Sequence, residues 1–480
     1  MTQKLTLISA VALTAAVGCT TKEKKTELGL PNIIYILVDD MGVGDLSMFG
    51  QTSFSTPHID KLASEGMLFT NHYSGSTVCA PSRACLMTGK HTGNQSVRGN
   101  HPTPQIIGDD EVTIAKVLKE KAYTTAVIGK WGIGHPIPLD DPQRIGFDYS
   151  YGYLNMWHAH NCFPDFLYRN GIREMLEGNE QTTNPDGSPR FHNFPEGTGV
   201  AKPDARKHFT PDLFIADAER FISENKNNPF FLYFAMNLPH TNNEASPDGN
   251  EVPDFGEFTE KDWPGAAKGH AQMMRIIDNQ VGTIVAKLEE LGLSENTIIM
   301  FASDNGAHSE GGHSVEFFNS NGNTRGQKRD FYDGGIRTPF IVKWPGVVKP
   351  ATESNHLSAF WDVLPTFAEI VGVEQPKDID GISFLSTLKG EAMNQQKHKY
   401  LYFEFYEKGG KQAVVSENWK YIKLNVRRGE GTEDPVNELY NLESDPGEQF
   451  NIAEKHPEVA AKMEEFIKEG HTPFSVAALF

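Results

Sequence analysis

Four continuous apolar runs, each ending in polar or charged residues, constrain this chain more than any other feature. Asn32-Ile33-Ile34-Tyr35-Ile36-Leu37-Val38 leads into Asp39-Asp40. Residues 123–128 precede Gly129-Lys130, residues 230–236 precede Asn237 and Pro239-His240, and residues 297–302 precede Ser303-Asp304-Asn305. A run without alternation fits a strand buried on both faces, the condition of a central strand in a parallel sheet. A fifth run, 340–344, precedes Pro345-Gly346. Helical periodicity lies between the runs, over 60–65, 113–121, 212–224 and 267–291. The alternation predicts an α/β fold, a large and mainly parallel sheet sandwiched by helices. Open sheets of this kind place ligands at the carboxyl ends of their strands. Asp39, Asp40, Lys130, His240, Asp304 and Asn305 are therefore predicted to share one site.

The texture changes after a helix predicted over 360–371. Residues 372–381 form a turn-rich break, and 400–406, 412–416 and 419–424 alternate in strand fashion. A turn region at 437–446 and an amphipathic pattern over 458–468 complete a smaller antiparallel sheet with one helix. The predicted organisation is a catalytic domain over 31–373 and a C-terminal subdomain over 374–480. Residues 161–207, rich in Pro, Gly and Asn, are predicted to form long loops on the substrate side.

The first residues read as a leader. Lys4 is followed by an apolar run to Val17, too short for a permanent membrane span and suited to a signal-peptide core. Ala16-Val17-Gly18-Cys19 resembles a bacterial lipobox, with 1–18 removed and Cys19 lipidated; an ordinary signal peptide containing a cysteine is the alternative. Residues 19–30 then serve as a polar tether. The expectation is an exported protein, periplasmic or anchored in the outer membrane of a bacterium, touching membrane only through the lipid. The net charge of −19 argues against non-specific nucleic-acid binding, which needs a basic footprint. It leaves room for an anionic substrate in a locally basic pocket. Of four cysteines, Cys85 and Cys162 have no evident chemistry, and two residues define no disulfide framework.

Cys79-Ala80-Pro81-Ser82-Arg83-Ala84-Cys85-Leu86-Met87-Thr88-Gly89 carries the densest local signal. Pro81 suits the first turn of a helix and Gly89 its end. Cys79 then sits just before a helix N-terminus, where free N–H groups favour an anion. Arg83, one turn inside, can direct its guanidinium to the same spot. Taken alone, these residues describe an activated thiol beside an anion site.

The sequence Cys-x-Pro-Ser-Arg-x-x-Leu-x-Thr-Gly resembles the motif of type I sulfatases, in the alkaline-phosphatase superfamily, and the wider pattern is similar to exported bacterial carbohydrate sulfatases. The resemblance implies an alkaline-phosphatase-like fold and conversion of Cys79 to formylglycine (3-oxoalanine) by a maturation enzyme. The hydrated aldehyde would attack sulfur with one hydroxyl, and the resulting hemiacetal sulfate would eliminate sulfate, so covalent catalysis needs no second displacement at sulfur. It also implies one Ca²⁺ held by Asp39, Asp40, Asp304 and Asn305, whose oxygen-only donors suit a hard cation. Lys130, in Gly129-Lys130-Trp131-Gly132, and Lys328, close to Asp333-Gly334-Gly335-Ile336-Arg337-Thr338-Pro339, match the lysines that contact the sulfate, with Arg83 as a third cation. His240 matches the histidine that protonates the leaving alcohol. One departure stands out. Many members carry histidine two residues after the motif lysine, to assist release of sulfate, and this chain has Gly132. His135, His158 and His160 are candidates to fill the gap, His135 first.

The implied substrate is a sulfated saccharide, of galactose or N-acetylgalactosamine type. His308, Glu310, Arg98, Asn100, His158 and His160 are candidates for its hydroxyls, and loop stabilisation is the alternative for each. Two other readings remain at this point: a phosphatase or phosphonate monoester hydrolase on the same fold, and a non-catalytic glycan-binding lipoprotein in which Cys79 is never converted.

Overall fold

The structure is a computed structural model, and it describes residues 29–100, 106–133, 140–183, 199–427 and 433–473. The leader, the lipobox with Cys19, and His135 lie outside these residues. Ten strands form one sheet in the spatial order 352–354, 67–69, 340–343, 297–303, 32–38, 230–235, 124–130, 149–153, 166–169 and 172–175. The four runs read from the sequence are consecutive neighbours at its centre. Asn32–Val38 pairs in parallel with Thr297–Ser303 on one side and Phe230–Ala235 on the other, and the latter pairs in parallel with Thr124–Lys130. Every residue of Asn32–Val38 and of Phe230–Ala235 is buried. That is why these strands lack polar alternation.

Helices cover both faces. Gly265–Glu290 and Thr210–Glu224 pack on one, Ile114–Lys119, Val363–Val371 and Cys79–Thr88 on the other. The apolar pattern leaves one strand direction open, and one expectation needs correction. Phe340–Lys343 runs antiparallel to Thr297–Ser303, so its carboxyl end points away from the shared edge. The stretch 161–207 is not all loop: it contains the strands Phe166–Arg169 and Ile172–Met175 as a hairpin, and the pair Asn179–Gln181 and Ala201–Arg206. These strands are short, and all but Phe166–Arg169 are largely exposed, so they carry little apolar pattern.

The second sheet is antiparallel, with Leu401–Phe405, Lys411–Ser416, Trp419–Leu424 and Val436–Asn441 in sequence order. Period-two alternation divides its faces. Tyr402, Val414, Tyr421 and Leu439 pack under helix Pro457–Gly470 through Met463, Phe466 and Ile467. Leu401, Phe403, Phe405, Ala413, Val415 and Ile422 pack on Tyr73, Val78, Cys85, Ile336 and Trp361, directly behind the Cys79 helix. Cys85 and Cys162 are both free and buried, in separate cores. Among the described residues no helix is long and apolar enough to cross a membrane.

Candidate active site

Strand register brings the polar residues together. Val38 lies opposite Ser303, Leu37 opposite Ala235, and Ala235 opposite Gly129. The residues that follow each strand therefore emerge side by side. Asp40 adopts a left-handed conformation at φ 67°, uncommon for a non-glycine residue and tolerated best by Asp and Asn. This turns its carboxylate back toward its neighbours. Carboxylate oxygens of Asp39, Asp40 and Asp304 lie within 4.8 Å of one another. Asn305 donates through Nδ2 to Asp40 Oδ1 at 2.7 Å, which leaves its own Oδ1 as a free acceptor. Asp39 Oδ1 and Asn305 Oδ1 are both buried without a hydrogen-bond partner. Orphaned buried oxygens are costly in a dry interior. The three carboxylates and the Asn305 amide oxygen, with these two orphans among their atoms, fit the donor set of a hard cation such as Ca²⁺.

Three buried cations surround the acids. Arg83 is fully buried, donates through Nε to Asp304 Oδ2 at 2.8 Å and through Nη1 to the Lys130 carbonyl at 2.7 Å, and places Nη2 3.5 Å from Asp39 Oδ1. Its guanidinium is thus committed to the acid cluster rather than left open for an incoming anion, as the sequence had suggested. Lys130 Nζ donates to Asp39 Oδ2 at 2.6 Å, and Lys328 Nζ to Asp40 Oδ2 at 2.8 Å. Burial alone would raise the Asp39 carboxyl; Lys130, Arg83 and Lys328 outweigh it and hold the group down to about 2.

Cys79 opens helix Cys79–Thr88 as its first residue, one position further in than expected, and Gly89 ends the helix at φ 69°. The motif residues explain the placement. Ser82 Oγ donates to the Asp304 carbonyl at 2.5 Å and accepts from Gly75 N–H at 3.0 Å, so it ties the helix to the end of strand Thr297–Ser303. Arg83 makes the second tie to the same aspartate. The Cys79 side chain is buried, and burial pushes its thiol up, against the pull of Lys130. The unmodified residue is therefore not the activated thiolate that the local sequence suggested.

The sulfatase family profile matches residues 31–373, and the profile for the C-terminal part of N-sulphoglucosamine sulphohydrolase matches residues 325–472. The chain belongs to the sulfatase family. It is 31% identical to an N-acetylgalactosamine-6-O-sulfatase of Bacteroides thetaiotaomicron, over 98% of both chains. It is 30% identical to the human N-acetylgalactosamine-6-sulfatase, over 88% of this chain and 81% of that one. A solved structure from work on the metabolism of multiple glycosaminoglycans by Bacteroides thetaiotaomicron superposes with a TM-score of 0.73 at 29% identity, covering 92% of this chain and 98% of that one. The phosphonate monoester hydrolase of Agrobacterium radiobacter shares the fold, with a TM-score of 0.61 at 19% identity, covering 92% of this chain and 95% of that one. The protein is a sulfatase, an enzyme that hydrolyses sulfate esters.

The remaining predicted residues of the sulfatase divide by position. His240 lies at the site with its ring nitrogens assigned by their partners. Nδ1–H donates to the Thr241 carbonyl at 2.6 Å, and Nε2 accepts from Lys328 Nζ at 3.1 Å. Burial and the Lys328 charge hold the imidazole well below its ordinary value, so it is neutral. Glu310 accepts from Lys328 at 3.0 Å and from Arg329. His160 stacks on His240, ring centroids 4.4 Å apart, and faces Glu244 at 3.4 Å; His308 also stacks on His240, at 5.8 Å. These residues form one wall of the site. Glu244 and Arg329 carried no local sequence signal, because only the long-range contacts place them there.

Two predicted residues are elsewhere. His158 is fully buried in an aromatic nest of Tyr153, Phe166 and Tyr168, its centroid 4.5 Å from that of Phe166. It reaches neither substrate nor residue 79. Arg98 is buried and bonded to Glu404 at 2.8 Å and to the Thr472 carbonyl at 2.8 Å, so it ties its loop to the second sheet and to the segment after helix Pro457–Gly470. Asn100 touches the Cys79 side chain instead of an open subsite.

Proposed function

We propose that this sulfatase removes sulfate from galactose-type sugars, with N-acetylgalactosamine 6-sulfate as the first substrate to test. The end-to-end likeness to the Bacteroides thetaiotaomicron N-acetylgalactosamine-6-O-sulfatase carries this reading. Residue 79, as formylglycine, supplies a hydrated aldehyde whose hydroxyl is the nucleophile. Asp39, Asp40, Asp304 and Asn305 hold one Ca²⁺, which offsets negative charge on the bound sulfate. Lys130 and Lys328 keep two ammonium groups beside residue 79, each fixed on one aspartate, and so bind the anion with little reorganisation. Arg83 sets the positions of Asp304 and Asp39. Lys328 holds the proton at the Nε2–Nζ contact, and its transfer to His240 Nε2 forms the imidazolium that protonates the leaving alcohol. His160, Glu244, His308 and Glu310 face the sugar.

The protein is further proposed to be exported, matured by an enzyme that oxidises Cys79, and lipidated at Cys19. Labelled fatty acid should enter wild-type protein in a bacterial host and not Cys19→Ala. The substrate test is a panel of defined sulfated monosaccharides with matured enzyme. Sulfate release from 6-sulfated N-acetylgalactosamine or galactose, with no phosphate released from an aryl phosphate, is expected. Turnover confined to sulfated glucosamine would sink the proposed sugar. Mass of the tryptic peptide containing residue 79 checks conversion, in which sulfur and two hydrogens are lost and one oxygen gained.

A further inference from the structure

Glycine at position 132 leaves residue 79 without the imidazole that the resemblance of the motif implies there. A Cβ at Gly132, which sits at φ 69°, would lie 2.9 Å from Lys130 Cε and 3.4 Å from Arg83 Cδ. The missing side chain would thus have stood among the cations beside residue 79. Neither described histidine candidate replaces it there, since His158 is in the core and His160 stacks on His240.

Another side chain does reach residue 79. Asn100 Nδ2 lies 3.5 Å from Cys79 Sγ, and Asn100 Oδ1 accepts from the Ala80 N–H at 3.2 Å. Here Sγ stands in for the oxygen of the converted side chain. The backbone N–H of Ala80 can only donate, so it fixes Oδ1 toward the helix and turns the NH₂ group to residue 79. The loop that carries Asn100 is gripped by the second sheet. Asn100 N–H donates to Glu407 Oε1 at 3.0 Å, and Arg98 bonds Glu404 at 2.8 Å. Gly99 lies so close to the Tyr406 ring that a Cβ there would fall 2.4 Å from Cε1.

We infer that Asn100 is a positioning residue for the side chain of residue 79, donating a hydrogen bond to it, and that the second sheet sets its place. A carboxamide donates without exchanging a proton at working pH, so Asn100 orients the oxygen on residue 79 and does not serve as a base. The inference rests on the reading of residue 79 as formylglycine.

The test compares matured wild-type protein with Asn100→Ala and with Asn100→Asp, which keeps the acceptor for Ala80 and loses the donor. Two readouts are taken: turnover of a sulfated sugar, and labelling of residue 79 in the folded protein by an aminooxy probe, which reports free aldehyde. Conversion of residue 79 is checked by peptide mass in each variant. In Asn100→Ala, kcat should fall about 100-fold, the scale for one oriented donor, while KM stays within about threefold. Labelling should rise at least about threefold in both variants as the aldehyde loses its partner. A raised KM with kcat and labelling unchanged would put Asn100 on the sugar and overturn the inference. Gly99→Ala, which leaves Asn100 intact and pushes its loop off Tyr406, should raise labelling too; no rise would remove the second sheet from the role. If wild-type residue 79 proves to be cysteine and takes no probe, the formylglycine reading fails by itself. The contact is then read on the thiol: faster alkylation of Cys79 in Asn100→Ala supports the inference, and an unchanged rate overturns it.

Discussion

Arg83, Lys130 and Lys328 are each buried and each bonded to a carboxylate, so the cations of the site are matched to its acids before any substrate enters. Two oxygens still lack a hydrogen bond: Asp39 Oδ1, which has Arg83 Nη2 at 3.5 Å, and Asn305 Oδ1. Calcium should therefore stabilise the fold, by about 2.7 kcal/mol at a free concentration one hundred times its dissociation constant. Thermal unfolding with and without Ca²⁺ measures this, and Asn305→Ala should lose most of the gain; equal gains in both proteins would remove Asn305 from the donor set. His158 shows the opposite case, a titratable group buried with no charge to match. Burial holds its imidazole down to about 3, against 6.5 for the free group. The folded state thus binds fewer protons than the unfolded chain between these values. Stability is intact above pH 6.5 and is lost as pH falls toward 3. By pH 5 the loss is about 2 kcal/mol. His158→Phe, suited to the nest of Tyr153, Phe166 and Tyr168, should lose that much less than wild type between pH 7 and 5 in urea unfolding. An identical pH dependence in the two proteins would refute the assignment.

At the scale of elements, the central strands were legible because burial on both faces removes alternation, and their polar ends were legible because a parallel arrangement gives them one edge. Direction was not. Phe340–Lys343 has the same apolar texture as its neighbour and runs the other way, since composition reports burial and not orientation. Nor was the Asn100 contact legible, because it depends on a loop held from 307 residues away by Glu407. Close backbone approaches are similarly silent in one sequence. Gly306, after Asp304-Asn305, packs on the turn that begins helix Asp333–Ile336: its N–H donates to the Gly335 carbonyl at 3.0 Å, and a Cβ would fall 1.8 Å from the Gly334 carbonyl oxygen. Backbone cannot yield there as a side chain would. Gly306→Ala should destabilise the fold by about 1–3 kcal/mol through overpacking and weaken Ca²⁺ binding, because the displaced segment carries two proposed ligands. Denaturant unfolding and calcium titration check both, and a variant with wild-type calcium affinity would show that the contact does not position Asp304 and Asn305.

For the whole molecule, the turn under Gly306 is also where the second sheet enters the chemistry. Lys420, on strand Trp419–Leu424, is fully buried and joins Asp333 to Glu448, its Nζ 2.8 Å from Glu448 Oε1. Asp333 further accepts from Tyr73 Oη at 3.0 Å, and its backbone N–H donates to Glu448 Oε2 at 2.7 Å. From Asp333 the path is short: Gly334 and Gly335 support Gly306, and Gly306 follows the two ligands. Lys420→Ala leaves two buried carboxylates without their shared cation, a lesion worth about 3–5 kcal/mol. It should lower the unfolding midpoint and, through the Asp333–Ile336 turn, weaken calcium binding as well. Lys420→Met fills the volume and still removes the charge, so it should recover packing but not the electrostatic loss. If Lys420→Met unfolds like wild type, the joint is held by packing alone. If both variants lose stability yet bind calcium like wild type, the second sheet supports the fold without reaching the metal ligands through this turn.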